Sequence, residues 1–376
     1  MTKAIMSFLS KVIWPSRRVS VLLTVAVLSR LFVFVVALVT NRVFGVSCQT
    51  CGNISYPLLN LFSRWDSAYY VHIATHGYSS WTDQYWAFFP AYPVLMGGFG
   101  RLLSFLFMIP LDLAVDLAGF VISNLSFLVA VYYLYKLSAA VLGKLRLAFD
   151  SAVYLALFPS GVFLSAIYSD SLFILLTISS LYYWQLGRLG RSGILGLFAA
   201  LTRPLGLLLV LPFIYKILVD SPSRMRIAVY LHTAMIPVGS LVFIVYSWLR
   251  TGTAFAFFIA EAQHWRTGMS GSLGAGIENP FTYPFLILGI ATLVVSILIE
   301  RNPRETTYNL HAFCLIITYL LGDITSFPRY SITLLPIYWQ IARYSRSLAF
   351  RIFIYAVSVT LLAICTGLYV NWYHFF

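Results

Sequence analysis

Ten apolar runs follow one another along this chain, at 19–40, 112–135, 147–167, 171–187, 193–219, 227–249, 281–300, 309–322, 331–342 and 352–371. Several reach the ~20 residues a helix needs to cross ~30 Å of hydrocarbon. Such a pattern leaves few folds open. Backbone polar groups inside lipid must be satisfied within the protein, and continuous helices do this. Composition agrees: 60% of residues are hydrophobic, 10% are charged and the mean hydropathy is +0.85. Soluble domains carry about 25% charged residues. The chain reads as an all-α polytopic membrane protein, one domain over 1–376. Its basic start (Lys3, Lys11, Arg17, Arg18) leads into the run Val19 to Thr40. That run is too long for a signal-peptide core and no small-residue cleavage site follows it, so it reads as a retained first span.

The net charge of +13 would suggest nucleic acid in a soluble protein. Here the basic residues cluster between apolar runs: Lys136, Lys144 and Arg146; Arg188 and Arg191; Lys216, Arg224 and Arg226; Arg301 and Arg304; Arg343, Arg346 and Arg351. Such clusters mark cytoplasmic loops and attract anionic membrane lipids, so no nucleic-acid partner is expected. With the N-terminus in the cytoplasm, the count gives about 11 crossings and a C-terminus outside. The loops 41–111, 166–170, 250–280 and 323–330 then fall outside, as does the turn at Arg203. The run 91–110 reads as a helix lying in or re-entering the interface. At Arg203-Pro204 the run 193–219 is interrupted, because proline removes a backbone donor and disfavours helix before it. Short or broken helices imply a polar cavity, since irregular backbone survives at membrane depth only against protein or water.

The count places Asp66, Asp83, Asp170, Glu261, Gln263, Arg266, Asp323 and Arg329 on one face. Asp66 stands in a polar, aromatic stretch from Arg64 to Tyr78. Ser63-Arg64-Trp65-Asp66 fits a capping box with Ser63 as N-cap, and Tyr69, Tyr70 and Ile73 then repeat at helical spacing. A carboxylate at a helix N-terminus is kept ionised there, which also suits a general base. Asp83 reads as a solvated loop carboxylate or a second acid near the first. His72 and His76 have metal-binding spacing, but no third ligand is suggested, and no metal site is expected. Cys48 and Cys51 form a lone CxxC, read as a disulfide or two free thiols on an oxidising face. Cys314 and Cys365 read as packing residues, and Asn53-Ile54-Ser55 is a glycosylation sequon. Arg30 is costly inside the first span, by about 2.5–3.5 kcal/mol on insertion scales. With Arg203 and Arg329 it suggests an anionic ligand such as phosphate; interhelical salt bridging or snorkelling is the alternative.

Longer stretches carry a resemblance. Trp65-Asp66-x-x-Tyr69-Tyr70-x-x-Ile73-Ala74-x-x-Gly77-Tyr78, followed by Ala87-Phe88-Phe89-Pro90-x-Tyr92-Pro93, is similar to the first-loop signature of the PIG-V mannosyltransferase family. In order along the chain, Tyr168-Ser169-Asp170-Ser171-Leu172-Phe173, Leu201-Thr202-Arg203-Pro204-Leu205-Gly206, Gln263-x-Trp265-Arg266 and Pro328-Arg329-Tyr330 also resemble family motifs. The family has Glu where this chain has Asp83 and Asp170, and one more residue between Gln263 and Trp265. The chain is compact beside eukaryotic members, which suggests a prokaryotic relative.

The resemblance implies a GT-C fold whose first outer loop carries short interfacial helices and an essential Asp. It implies an inverting transferase that moves mannose from a polyprenyl-phosphate mannose such as dolichyl phosphate mannose. The acceptor would be a glycolipid or GPI-like lipid on the outer or lumenal face, the membrane being the plasma membrane of a prokaryote or the endoplasmic reticulum of a eukaryote. Asp66 is the candidate base. Arg203 and Arg329 are candidates for the leaving phosphate, and Trp65, Tyr69 and Trp265 for stacking on sugar faces. Arg64, Asp83, Gln84, Asp170, Gln263 and Tyr330 complete the expected substrate site. A lipid-phosphate leaving group needs no nucleotide, in keeping with the lack of a Gly-rich phosphate loop, and no cofactor is expected. A lipid-linked sugar transporter or flippase fits broken helices and cavity arginines too. Against it, the chain shows no paired repeat halves. A non-catalytic glycolipid-binding subunit is the third class.

Overall fold

Apolar faces turned outward dominate this molecule, and they belong to helices. The computed structural model describes residues 17–44, 56–78, 84–219, 227–264, 279–300, 302–322 and 324–376. The first helix is α1 (Arg17–Val43). The loop after it carries α2 (Pro57–Asn60), α3 (Ser67–His76) and a 3₁₀ turn at Gln84–Ala87, and leads into α4 (Ala91–Phe107). Then come α5 (Leu111–Leu142), α6 (Leu145–Ala156), α7 (Asp170–Gln185), α8 (Leu189–Thr202), α9 (Val210–Val219), α10 (Ile227–Thr251) and α11 (Ala256–His264). The chain closes with α12 (Thr282–Val294, continued by a π-helical turn), α13 (Thr306–Leu321), α14 (Phe327–Tyr330), α15 (Leu335–Tyr344) and α16 (Leu348–Val370). Among the described residues five helices are long and apolar enough to cross a membrane: α1, α5, α10, α12 with its extension, and α16. The run 91–110 forms α4, 17 residues and shorter than these.

The long helices sort themselves by what they bury. On α1, Leu22, Ala26, Arg30, Val33 and Ala37 recur at helical spacing and are buried, while Leu28, Leu31, Val35 and Val39 are exposed. An exposed apolar stripe on a helix of this length is a lipid-facing surface. The most apolar stretch of α5 is 56% buried and that of α16 only 11%, so α5 is the central post and α16 a peripheral one. α5 packs on α1, α4, α6 and α7. Helices α8 and α10 cross closely because on each of them a glycine faces a backbone carbonyl of the other. A Cβ on Gly193 would lie 2.6 Å from the His232 carbonyl oxygen, and one on Gly239 would collide with the Leu197 carbonyl. Small residues at such crossings let helix backbones approach where lipid offers no hydrophobic drive.

Two breaks position the site. The expected interruption at Arg203-Pro204 is present: α8 stops at Thr202, Arg203 is extended, and a 3₁₀ turn at Pro204–Leu209 hands over to α9. The run 147–167, expected as one apolar span, instead ends its helix at Ala156, just before Pro159, and continues as buried irregular chain up to α7. Arg30 makes that break tolerable. Its guanidinium donates to the carbonyls of Ala156 (3.1 Å) and Gly161 (2.6 Å) and to the Ser165 hydroxyl (3.2 Å), and stacks 4.1 Å from the Phe127 ring centre. Of the two readings of Arg30, an anionic ligand or a partner between helices, these bonds favour the second. Carbonyls left without partners where a helix ends must be satisfied by some donor, and here Arg30 supplies it.

Candidate functional site

The first loop, the break before α7, the α8–α9 turn and α14 all end at one place. A cavity of about 890 Å³ opens there, lined by Trp65, Asp66, Tyr69, Gln84, Arg203, Glu261, His264, Arg329 and Tyr330, among others. That size suits a substrate pocket.

At its base four charges form a chain. Arg203 donates from Nη2 to Asp170 Oδ2 (2.7 Å) and from Nε to the Ser169 hydroxyl (2.9 Å). Arg329 donates from Nε to the same Asp170 oxygen (3.0 Å) and from Nη1 to Asp66 Oδ2 (2.8 Å). Two arginines and two carboxylates balance, so the three buried charges, Arg203, Asp170 and Arg329, are each paired, and the part-exposed Asp66 closes the chain. Burial pulls the Arg329 pKa down, but Asp170 and Asp66 outweigh it and hold the guanidinium charged well above its ordinary range. Its face lies 4.4 Å from the centre of the Tyr168 ring. Asp170, at the first residue of α7, is 2% exposed and stands behind the arginines; Asp66 borders the cavity with its side chain 24% exposed. Asp66 Oδ1 takes no hydrogen bond among the described residues, nor do Arg203 Nη1 and Arg329 Nη2.

The capping box expected at Ser63–Asp66 does not form. Helix α3 starts at Ser67, Asp66 caps nothing with its side chain, and Ser63 donates to Asp116 instead (3.3 Å). The carboxylate is claimed by Arg329, a charge-assisted bond stronger than a bond to a neutral backbone N–H. The Asp66 N–H is held by the Tyr168 hydroxyl (3.0 Å). Trp65 adopts a positive φ of 54°, an outlier for a bulky residue and a form of strain that clusters at functional sites. Its indole donates to the Tyr369 carbonyl (3.3 Å) and meets the rings of Trp372 (5.1 Å), His374 (5.8 Å) and Phe376 (5.5 Å). Tyr69 stacks on Phe88 (4.8 Å) and donates to Gln84 Oε1 (3.4 Å); burial first, then Asp66, raises its pKa.

Of the residues singled out in the sequence, Trp65, Asp66, Tyr69, Gln84, Arg203, Arg329 and Tyr330 border the cavity. Arg64 is buried beneath it, its guanidinium 5.2 Å from the Trp372 ring centre. Gln263 is exposed on α11 and does not line the cavity, whereas Glu261 and His264 of that helix do. Asp83, Trp265, Arg266, Asp323, Cys48, Cys51 and Asn53 lie outside the described residues. His72 and His76 stack on each other (4.8 Å), and among the described residues no group of three or more metal-ligating side chains gathers. The sequence reading missed the last wall, Trp372, His374 and Phe376. An aromatic run following the last span on the face assigned to the site was the available signal.

The architecture as a whole matches the crystal structure of the Archaeoglobus fulgidus oligosaccharyltransferase at a TM-score of 0.55 and 15% identity, over 93% of this chain and 53% of that one. The same enzyme in its apo form matches at 0.56 and 13% identity, over 94% and 56%. The fold is thus the GT-C fold, built as an all-α polytopic membrane protein. Within that class the chain belongs to the PIG-V mannosyltransferase family, whose profile, described as "Mannosyltransferase (PIG-V)", matches residues 7–245. The "GPI alpha-1,6-mannosyltransferase 2" of Cricetulus griseus is 36% identical over 154 residues, 41% of this chain and 31% of its own length. The "GPI mannosyltransferase 2" of Yarrowia lipolytica is 24% identical over 339 residues, 86% of this chain and 89% of that protein. The match thus spans about a third of the mammalian relative and most of the yeast one.

Proposed function

We propose that this chain is an inverting glycosyltransferase that moves mannose from a polyprenyl-phosphate mannose to a glycolipid or GPI-like acceptor, on the outer or lumenal face of the membrane. The observation that carries this is the Asp66 carboxylate. One oxygen is pinned by Arg329 and the other is left to the cavity, beside two arginines that each keep one N–H end unpaired. In the proposed step, Asp66 Oδ1 takes the proton of the acceptor hydroxyl. The acceptor oxygen bonds to the anomeric carbon as the bond from that carbon to the phosphate oxygen breaks. The polyprenyl phosphate leaves with the electron pair, received by the free ends of Arg203 and Arg329. Attack opposite the leaving group inverts the anomeric centre, so a β-linked donor gives an α-mannoside. Trp65, Tyr69 and Trp372 offer ring faces to the sugars. Support for a lipid-linked donor comes from the named relatives and from a structural neighbour, the archaeal oligosaccharyltransferase solved with a dolichol-phosphate, which matches at a TM-score of 0.53.

The test is a transfer assay with purified protein, radiolabelled polyprenyl-phosphate mannose and a lipid extract as acceptor. The wild type should place label in a glycolipid, and Asp66→Asn should not. Label that crosses sealed vesicles without entering a new lipid would replace the transferase reading by a flippase.

A further inference from the structure

A second groove lies at the other end of α7. Asp170 opens that helix and Tyr183 stands 13 residues later, about 20 Å away at the α-helical rise of 1.5 Å per residue. There α5 and α7 enclose a cavity of about 170 Å³ lined by Tyr132, Tyr133, Tyr182 and Tyr183, with Lys136 and Arg188 at its rim. The Tyr133 and Tyr183 hydroxyls bond to each other (2.9 Å), and Arg191 lies 5.4 Å from the Tyr183 ring centre. Among the described residues no carboxylate pairs with Lys136, Arg188 or Arg191. The transfer site has the opposite character, since every charge of its four-membered chain is already matched.

We propose that this tyrosine-walled groove binds the phosphate of an anionic phospholipid. Two cations without carboxylate partners, Lys136 and Arg188, rim this small cavity, and a third, Arg191, lies over the ring of Tyr183 in its wall; that arrangement calls for an anion. Tyrosine hydroxyls supply neutral donors beside them. The cavity suits a phosphate with its ester arms and is too small for a nucleotide. Leu186 lines the groove and is 45% exposed, so acyl chains leaving the phosphate would meet an apolar wall. Tyrosine belts and basic pockets between helices recur where proteins hold lipid headgroups. The site does not depend on which reaction occurs at Asp66.

The test is native mass spectrometry of the purified protein in detergent with dioctanoyl phosphatidylglycerol, dioctanoyl phosphatidylcholine or inorganic phosphate. Phosphatidylglycerol should be retained, phosphatidylcholine should not, and inorganic phosphate should not displace the bound lipid. Arg188→Gln, at an exposed position, should weaken retention about fivefold, and Lys136→Gln with Arg188→Gln more steeply. Tyr133→Phe with Tyr183→Phe, which keeps the charges, should weaken it less. Equal retention of the two lipids, or of phosphatidylglycerol by wild type and both Gln variants, overturns the proposal. Displacement by inorganic phosphate alone overturns it in favour of a free-phosphate site. If the Gln variants lower the melting temperature and leave lipid retention unchanged, the cations serve only the carbonyl end of α7 and the proposal fails.

Discussion

At the scale of single residues, Asp170 and Asp66 divide the work. Asp170 accepts from both arginines and is sealed from water; Asp66 accepts from one and faces the cavity. Removing the Asp170 charge leaves two buried arginines with one carboxylate between them. Asp170→Asn should therefore destabilise by about 3–5 kcal/mol. Asp66→Asn keeps an acceptor for Arg329, so it should cost only about 1–3 kcal/mol. The catalytic ranking should be the reverse within the folded fraction, with Asp66→Asn inactive. Thermal unfolding in detergent beside the transfer assay separates the two, and a folded Asp66→Asn protein with near wild-type turnover would remove the base assignment. Arg329→Lys tests the fork. A lysine ammonium has three donors, but all sit on one nitrogen and cannot span Asp170, Asp66 and a phosphate as the separate Nε, Nη1 and Nη2 of the fork do, so kcat/KM for the donor should fall by tenfold or more. Asp66 was legible in the sequence as a candidate; its partner was not. The residue that claims it lies 263 positions away, and the local pattern Ser63–Asp66 pointed to a cap that a distant guanidinium outcompetes.

The elements show the same division between local and distant causes. The α8 break was legible because Pro204 cannot continue a helix, and the chain obeys. The early end of α6 was harder to see. Its 157–167 continuation is as apolar as a span, and what stabilises it is Arg30 on α1, more than a hundred residues earlier. An arginine open to either reading, phosphate or an interhelical partner, is bonded to carbonyls. Arg30→Met keeps an unbranched apolar stem and removes every donor. The Ala156 and Gly161 carbonyls then lose their Arg30 bonds at about 1–3 kcal/mol each. The variant should melt earlier, with donor and acceptor KM unchanged in the folded fraction. A specific rise in donor KM at unchanged stability would instead return Arg30 to the substrate site.

Over the whole molecule, a count of basic clusters was enough to gather Asp66, Asp170, Glu261 and Arg329 onto one face, and all four meet at one cavity or directly behind it. Contact itself was not legible, because no local pattern records how far α14 reaches toward the first loop. The aromatic wall of Trp372, His374 and Phe376 was missed for the same reason. Helix α7 starts at the four-charge chain and ends beside Arg188, and its 16 residues span about 24 Å. If this helix crosses the membrane domain, its two ends open to opposite compartments. If the basic end is cytoplasmic, as positive clusters predict, the Asp66 cavity opens to the outer or lumenal side. Single cysteines at exposed positions 188 and 374, in a background without Cys48, Cys51, Cys314 and Cys365, test this with a membrane-impermeant maleimide on sealed, inside-out vesicles. Position 188 should label before detergent is added and position 374 only after. Labelling of both from one side would reject the topology and with it the outer-face site; labelling in the reverse order would keep the fold and move transfer to the cytoplasmic leaflet.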